Sequence, residues 1–543
     1  MAPGRRAAVV VPAPYRPGGV GGKGVIRRPQ IPPQAMNVPN ETIDQEARPF
    51  GASSAARAGG WLMWSAFALL AYPAWVHGGT SPRWQWPIWW LSGALSVWIV
   101  LGPALLAPGR RFMETLRSTV RAIVRDPVFY GGLGLVALLT VQWWNAGREL
   151  VFDPTRRLWG YSNPPVAWLP SAFTRGEARE MLVWFMPAGV LMLAVRSPAM
   201  RRKDLCRLLT LMAVNAALVG AVGFVRFGVY PRDMYAPNQI HGILAHFGYP
   251  NHAGSFFALM FCLSIGLLLR ALFRDGDLRF GWEAGVLAGA ALLSFTGVHL
   301  SLSRAAILMA WGAGGLAGIY VFLRFWPRLR SVSRLNLAAG VAAVLCLGWS
   351  LAGSHVLGSA FGELRTVPGA VTDVGERLAM TRSALAVWRD HPWFGTGGWG
   401  FRYLVSFYVS PDRRTVIAEA GHANVHNDPV QFLSEFGAVG AGLIAVAVAA
   451  AFAPALKRRL WNCPLPLFAT VGLGLVAVHS LVDLPFRCPA VLYSWAAMLA
   501  AVGIMCRPPS GPANGRARRG EARLRMRVER GPRETSMTSE NAI

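Results

Sequence analysis

The chain has 543 residues, 53% hydrophobic and only 15% charged, and a mean hydropathy of +0.35, which excludes an ordinary water-soluble domain. A formal net charge of +27 invites a nucleic-acid partner. The basic residues, however, punctuate apolar runs instead of forming one patch, so no nucleic acid is expected.

Residues 1–58 are rich in Pro, Gly and Arg, hold no apolar stretch long enough for a signal peptide, and read as a disordered basic cytoplasmic tail. Apolar runs of about 17–23 residues then read as membrane helices. They lie near 59–77, 86–106, 128–145, 180–195, 205–225, 253–272, 283–302, 305–323, 335–353, 429–452, 465–482 and 488–506, the fourth being the shortest. Residues 507–543 repeat the composition of the first tail. The expected fold is an all-α polytopic membrane protein of about twelve transmembrane helices, with a membrane domain over 59–506 and a large loop, 354–428, between helices nine and ten.

Arg110, Arg111, Arg117, Arg121 and Arg125 follow the second span, and Arg196, Arg201, Arg202 and Lys203 follow the fourth. Arg270, Arg274 and Arg279, then Arg324, Arg328, Arg330 and Arg334, then Lys457, Arg458 and Arg459 follow the sixth, eighth and tenth. All these turns fall on one side together with both tails, so positive-inside asymmetry puts both termini in the cytoplasm. The same residues attract anionic membrane lipids, by roughly 1 kcal/mol each near the surface. Of the six cysteines only Cys488 sits near the outer face, which argues against a disulfide framework.

Polar chemistry collects on the opposite face. All ten histidines (His77, His241, His246, His252, His299, His355, His391, His422, His426 and His479) fall in its loops or in the outer halves of adjacent helices. Imidazole sits comfortably at membrane interfaces, yet the bias makes the outer face the place for proton chemistry. The densest stretch runs from His422 through His426 and Asp428 to Glu435 and Gly437, closing the long loop and opening a helix. Titratable groups are costly where a membrane helix meets water, so they point to function there. Within the loop, Glu376–Asp390 has apolar residues at helical spacing, with Arg377, Arg382 and Arg389 on the polar side, and reads as an amphipathic helix ended by Pro392 and a turn at Gly395–Gly400. Arg304 stands between two apolar runs in Ser301-Leu302-Ser303-Arg304. It either snorkels to lipid headgroups or binds an anion through its guanidinium fork.

Four segments resemble one family. They are Ser303-Arg304 and its following alanines; Arg382 to Phe401 with His391-Pro392 and Gly395-Thr396-Gly397; His426-Asn427 with Glu435 and Gly437; and His479 to Asp483 and Pro489. In order and spacing, about residues 240–505 resemble the O-antigen ligase and polymerase membrane proteins. The resemblance implies a C-type-like, metal-independent, inverting glycosyltransferase of the bacterial inner membrane, its active site facing the periplasm. The donor would be a glycan on undecaprenyl diphosphate and the acceptor a sugar hydroxyl, of lipid A-core or a growing glycan; no cofactor is implied. His426 would be the general base, Arg304 the diphosphate clamp, and Asp428, Glu435, His422, His479 and Asp483 supporting residues. The family carries a second arginine before a segment represented here by Tyr249-Pro250-Asn251-His252. That arginine is absent from the matching positions; Arg232 is the preferred substitute, with Arg226 upstream and His241 or His246 as the alternatives.

Rival readings remain. Protein O-glycosylation fits the same chemistry. A zinc site at His422 and His426 lacks the glutamate of a His-Glu-x-x-His helix, because Ala423 follows His422. A transporter or lipid flippase fits the span count, but the dominant loop is external and no internal repeat is evident.

Overall fold

The computed structural model describes residues 52–107, 111–155, 157–229, 247–273, 281–329, 367–409 and 424–507. Helix dominates them, because backbone amides that water cannot reach must bond within their own segment. In chain order the helices are α1 (Ala52–Trp75), α2 (Gln85–Leu105), α3 (Phe112–Val124), α4 (Pro127–Trp144), α5 (Arg175–Arg196), α6 (Arg202–Val229) and α7 (Pro250–Leu272). There follow α8 (Trp282–Leu300), α9 (Arg304–Leu329), α10 (Val367–Asp390), α11 (Gly400–Tyr408), α12 (Asp428–Leu456), α13 (Pro464–His479) and α14 (Pro489–Cys506). Among the described residues nine helical segments are long and apolar enough to cross a membrane, and α13 is apolar but shorter. The chain is therefore an all-α, multi-pass membrane protein. The span expected at 335–353 lies outside the described residues, as do residues 1–51 and 508–543 of the two tails.

Several boundaries differ from hydropathy alone. The first helix begins at Ala52, inside the stretch expected as tail, because an alanine-rich segment extends it. The short fourth span is the 22-residue α5. It starts at a cap that hydropathy ignores: the Thr174 hydroxyl accepts the Glu177 N–H and donates to the Glu177 carboxylate. The span expected at 465–482 stops as helix at His479. The loop after α4 holds a small antiparallel hairpin, β1 (Leu150–Asp153) and β2 (Leu158–Tyr161), with Leu150 opposite Tyr161.

The bundle has two distinct ends. At one, Asp126 at the start of α4 pairs with Arg196 at the end of α5, and Arg202 and Arg458 donate to the Arg507 carbonyl. This is the end that the arginine-rich turns mark. At the other, the starts of α5, α7, α12 and α14 meet the ends of α4 and α13, beneath α10 and α11. The centre is formed by α7 and α14, whose apolar windows are 78% and 83% buried, against 28% and 22% for α9 and α12 at the periphery. Small residues permit this closeness. A Cβ on Gly503 of α14 would stand 2.0 Å from the Ala451 carbonyl oxygen of α12.

Candidate functional site

The site is built where α12 begins. The Asn427 side chain caps that helix, accepting the Val430 N–H at 3.1 Å, and Pro429 occupies the first turn, where no amide donor is needed. Just before the cap, His426 takes a left-handed conformation (φ 53°), a sharp turn uncommon for a residue with a Cβ. Val425 is thereby buried while the imidazole stays 33% exposed.

The carboxylate facing that imidazole belongs to Asp483, with Oδ1 4.0 Å from His426 Nδ1. Asp483 is 1% exposed and heavily held. The Tyr249 hydroxyl donates to it at 3.2 Å, the Asn251 amide at 2.5 Å and the Leu484 N–H at 2.8 Å. Burial, then the neighbouring Asp483 charge, push the Tyr249 phenol well above its ordinary range, so it stays a proton donor. Arg377 of α10 reaches the same carboxylate, Nη1 to Oδ2 at 3.6 Å, and also donates to the Val482 carbonyl. One buried anion thus lies between a partly exposed imidazole and a partly exposed guanidinium.

A second, drier network lies behind it. Arg487 is 2% exposed. Its Nη2 donates to Glu435 Oε2 at 2.5 Å, and its Nε lies 3.8 Å from Asp428 Oδ1. Asp428 also accepts the Phe486 N–H at 2.8 Å, and Glu435 accepts the Gln431 amide at 2.9 Å. Trp399 and Phe432 cover the guanidinium, with centroids 4.5 and 5.0 Å from its carbon. The cap of α12 is therefore Asn427, while Asp428 lies toward Arg487 and the Phe486 N–H.

The two glycine motifs lock together. Gly437 breaks α12 (φ 64°, ψ −173°), freeing backbone groups that the Pro392–Gly397 turn takes up. Thr396 N–H donates to Ser434 O (3.1 Å) and Gly397 N–H to Glu435 O (2.8 Å), while Ala438 N–H donates to Pro392 O (2.8 Å) and Val439 N–H to Trp393 O (3.0 Å). A Cβ on Gly437 would fall 2.3 Å from the Trp393 carbonyl carbon, so no other residue fits without displacing the turn. This joint fixes Glu435, and through it Arg487, against the turn that links α10 to α11.

Of the remaining sequence-derived residues, His479 is buried and hydrogen-bonded through Nδ1 to Ser255 Oγ at 2.8 Å. Arg304 is exposed and opens α9 after a turn in which Leu302 is left-handed (φ 59°). That turn lies against α7, where a Cβ on Gly254 would meet Ser303 Cβ at 2.8 Å. Since α7 begins with the residues that hold Asp483, Arg304 and His426 share one end of the bundle. Arg232, His422, His241, His246 and His355 lie outside the described residues. Among the described residues no group of three His, Cys, Asp or Glu could hold a metal ion. Sequence reasoning missed Arg487 and the Asp483–Arg377 pairing. The signal for Arg487 was present: an arginine between two apolar runs, the pattern that singled out Arg304.

No curated protein matches the chain. Residues 289–445 match the model of the family described as O-antigen ligase, a segment running from the middle of α8 through Arg304, α10 and α11 to His426, Glu435 and the Gly437 break. Asp483 and Arg487 lie beyond it. Over residues 289–445, which include Arg304, His426 and Glu435, the chain is thus similar to the O-antigen ligase family.

Proposed function

We propose that this protein transfers a glycan from undecaprenyl diphosphate to a sugar hydroxyl of lipid A-core, or of a similar acceptor, at the periplasmic face of the bacterial inner membrane. The observation that carries the reading is the shared Asp483 carboxylate, 4.0 Å from the His426 imidazole and 3.6 Å from the Arg377 guanidinium. His426 takes the proton from the acceptor hydroxyl as its oxygen attacks the anomeric carbon. The carbon–oxygen bond to the diphosphate breaks, its electron pair leaves on the diphosphate, and the configuration inverts. Asp483 stabilises the imidazolium that forms, and the hydrogen bonds it accepts keep it in place.

A diphosphate is a good leaving group and needs stabilisation of the charge that develops, which preorganised guanidinium groups provide without a metal. Arg304 supplies one cation. Arg377 is the second, a place for which Arg232 is the sequence-based alternative. Transfer is then expected to survive exhaustive chelation. Asp428, Glu435 and His479 support the fold of the site.

Substituting His426 and Arg304 separately by alanine, followed by gels of surface glycan, tests the reading. Loss of long glycan on lipid A with lipid-linked polymer accumulating identifies ligation. Attachment of single repeats instead identifies polymerisation, and unchanged gels at normal protein level contradict both.

A further inference from the structure

Helix α3 (Phe112–Val124) does not belong to the site and is not a membrane span. At 13 residues it is about 20 Å long, shorter than the hydrocarbon core, and it carries charge along its length. It joins α2 to α4 through short connections, and α4 starts at Pro127 immediately after the Asp126 cap. It therefore lies at the membrane boundary, at the end of the bundle where Asp126 meets Arg196.

Its faces divide three ways. Thr115 and Thr119 are buried and Ile123 packs against the core, so this side seats on the protein, chiefly on α2. Met113, Val120 and Val124 are 53%, 41% and 42% exposed. At 100° per residue they fall in a single stripe beside the seated face. Next around the helix come Arg117 and Arg121, with Arg125 beyond them and Arg111 at the cap, against Glu114 alone; all five are exposed. An apolar stripe bordered on one side by guanidinium groups matches a leaflet edge, with acyl chains beneath the stripe and phosphate at the border.

We infer that α3 is an interfacial helix that binds the phosphate headgroups of anionic phospholipids in the leaflet at the arginine-rich end of the bundle. Met113, Val120 and Val124 enter the acyl boundary, and Arg117 and Arg121 grip the headgroups. The assignment is independent of the glycosyl-transfer reading.

The test uses the full-length protein in nanodiscs of phosphatidylcholine alone or mixed with phosphatidylglycerol, reading hydrogen–deuterium exchange across residues 112–124. In the mixed discs exchange there slows by on the order of tenfold, as two screened arginine contacts permit, while the membrane helices are unchanged. Arg117→Gln with Arg121→Gln abolishes the difference without altering exchange in α2 or α4. Val120→Gln with Val124→Gln speeds exchange in both discs. Equal exchange in the two discs, or a lipid effect that persists in the double glutamine variant, overturns the assignment. Fast exchange of wild-type α3 in both discs also overturns it, and directs attention to a protein partner for the stripe.

Discussion

The two ends of the bundle use the same charged residues in opposite ways. At the arginine-rich end each carboxylate is matched by at least one guanidinium, Asp204 also lying 3.8 Å from Arg207. Arg196 grips Asp126 through two hydrogen bonds of 2.7 and 2.9 Å, and Arg201 holds Asp204, its neighbour along the chain, at 2.6 Å. At the other end carboxylates outnumber guanidiniums in a dry space, with Asp428 and Glu435 around Arg487, and Asp483 shared among several donors. A couple fixes two helix ends. A shared network fixes the direction of several side chains at once, and it fails as a unit when one member is removed.

The largest expected effect that breaks this contrast comes from Arg487→Met. It leaves two buried carboxylates without their cation, and should cost about 3–5 kcal/mol, read as a lower thermal midpoint in detergent. Adding Glu435→Gln should recover part of the loss. If Arg487→Met melts like wild type, the network is not shared. A smaller effect sharpens the other side. Asp126→Asn should cost about 1.5–3 kcal/mol, while glycan transfer per folded molecule stays at the wild-type level. A specific loss of transfer would show that the ends are not separate.

The smallest effect concerns pH. Burial, then the nearby Arg148 guanidinium, lower the pKa of His391 below its ordinary value, and Asp390 opposes them. On acidification the unfolded chain binds this proton first. The stability contributed is thus full above about pH 6.5 and is lost as pH falls toward the lower folded value. His391→Gln should flatten the decline of the melting midpoint between about pH 7 and pH 5; an unaltered slope would contradict the assignment.

Much of this fold is legible in the chain, for a physical reason: apolar runs have one solution in a bilayer, so the spans near 86–106, 128–145 and 253–272 coincide closely with α2, α4 and α7. Helix starts are less legible, because hydropathy is silent about caps such as Thr174 and Asn427. The site was legible as residue types but not as pairings. His426 and Asp483 stand far apart in sequence, and nothing in their spacing says that the imidazole approaches Asp483. Arg487 was illegible as a hub because a basic residue beside a helix end ordinarily snorkels to water. Only the packing of Trp399 and Phe432 over it shows that this one is dry. Likewise, Gly395 and Gly437 each read as a turn or a break, and their interlock exists only in three dimensions.

In the proposed reaction the His426 imidazole, set by Asp483, is the base for transfer. The most direct measurement is single-turnover transfer by purified protein in proteoliposomes, with lipid-linked glycan donor and acceptor supplied, for wild type and His426→Ala at matched folding. A fall of about 10²–10⁴-fold with an unchanged melting midpoint is expected. Transfer by the alanine variant at the wild-type rate would contradict it.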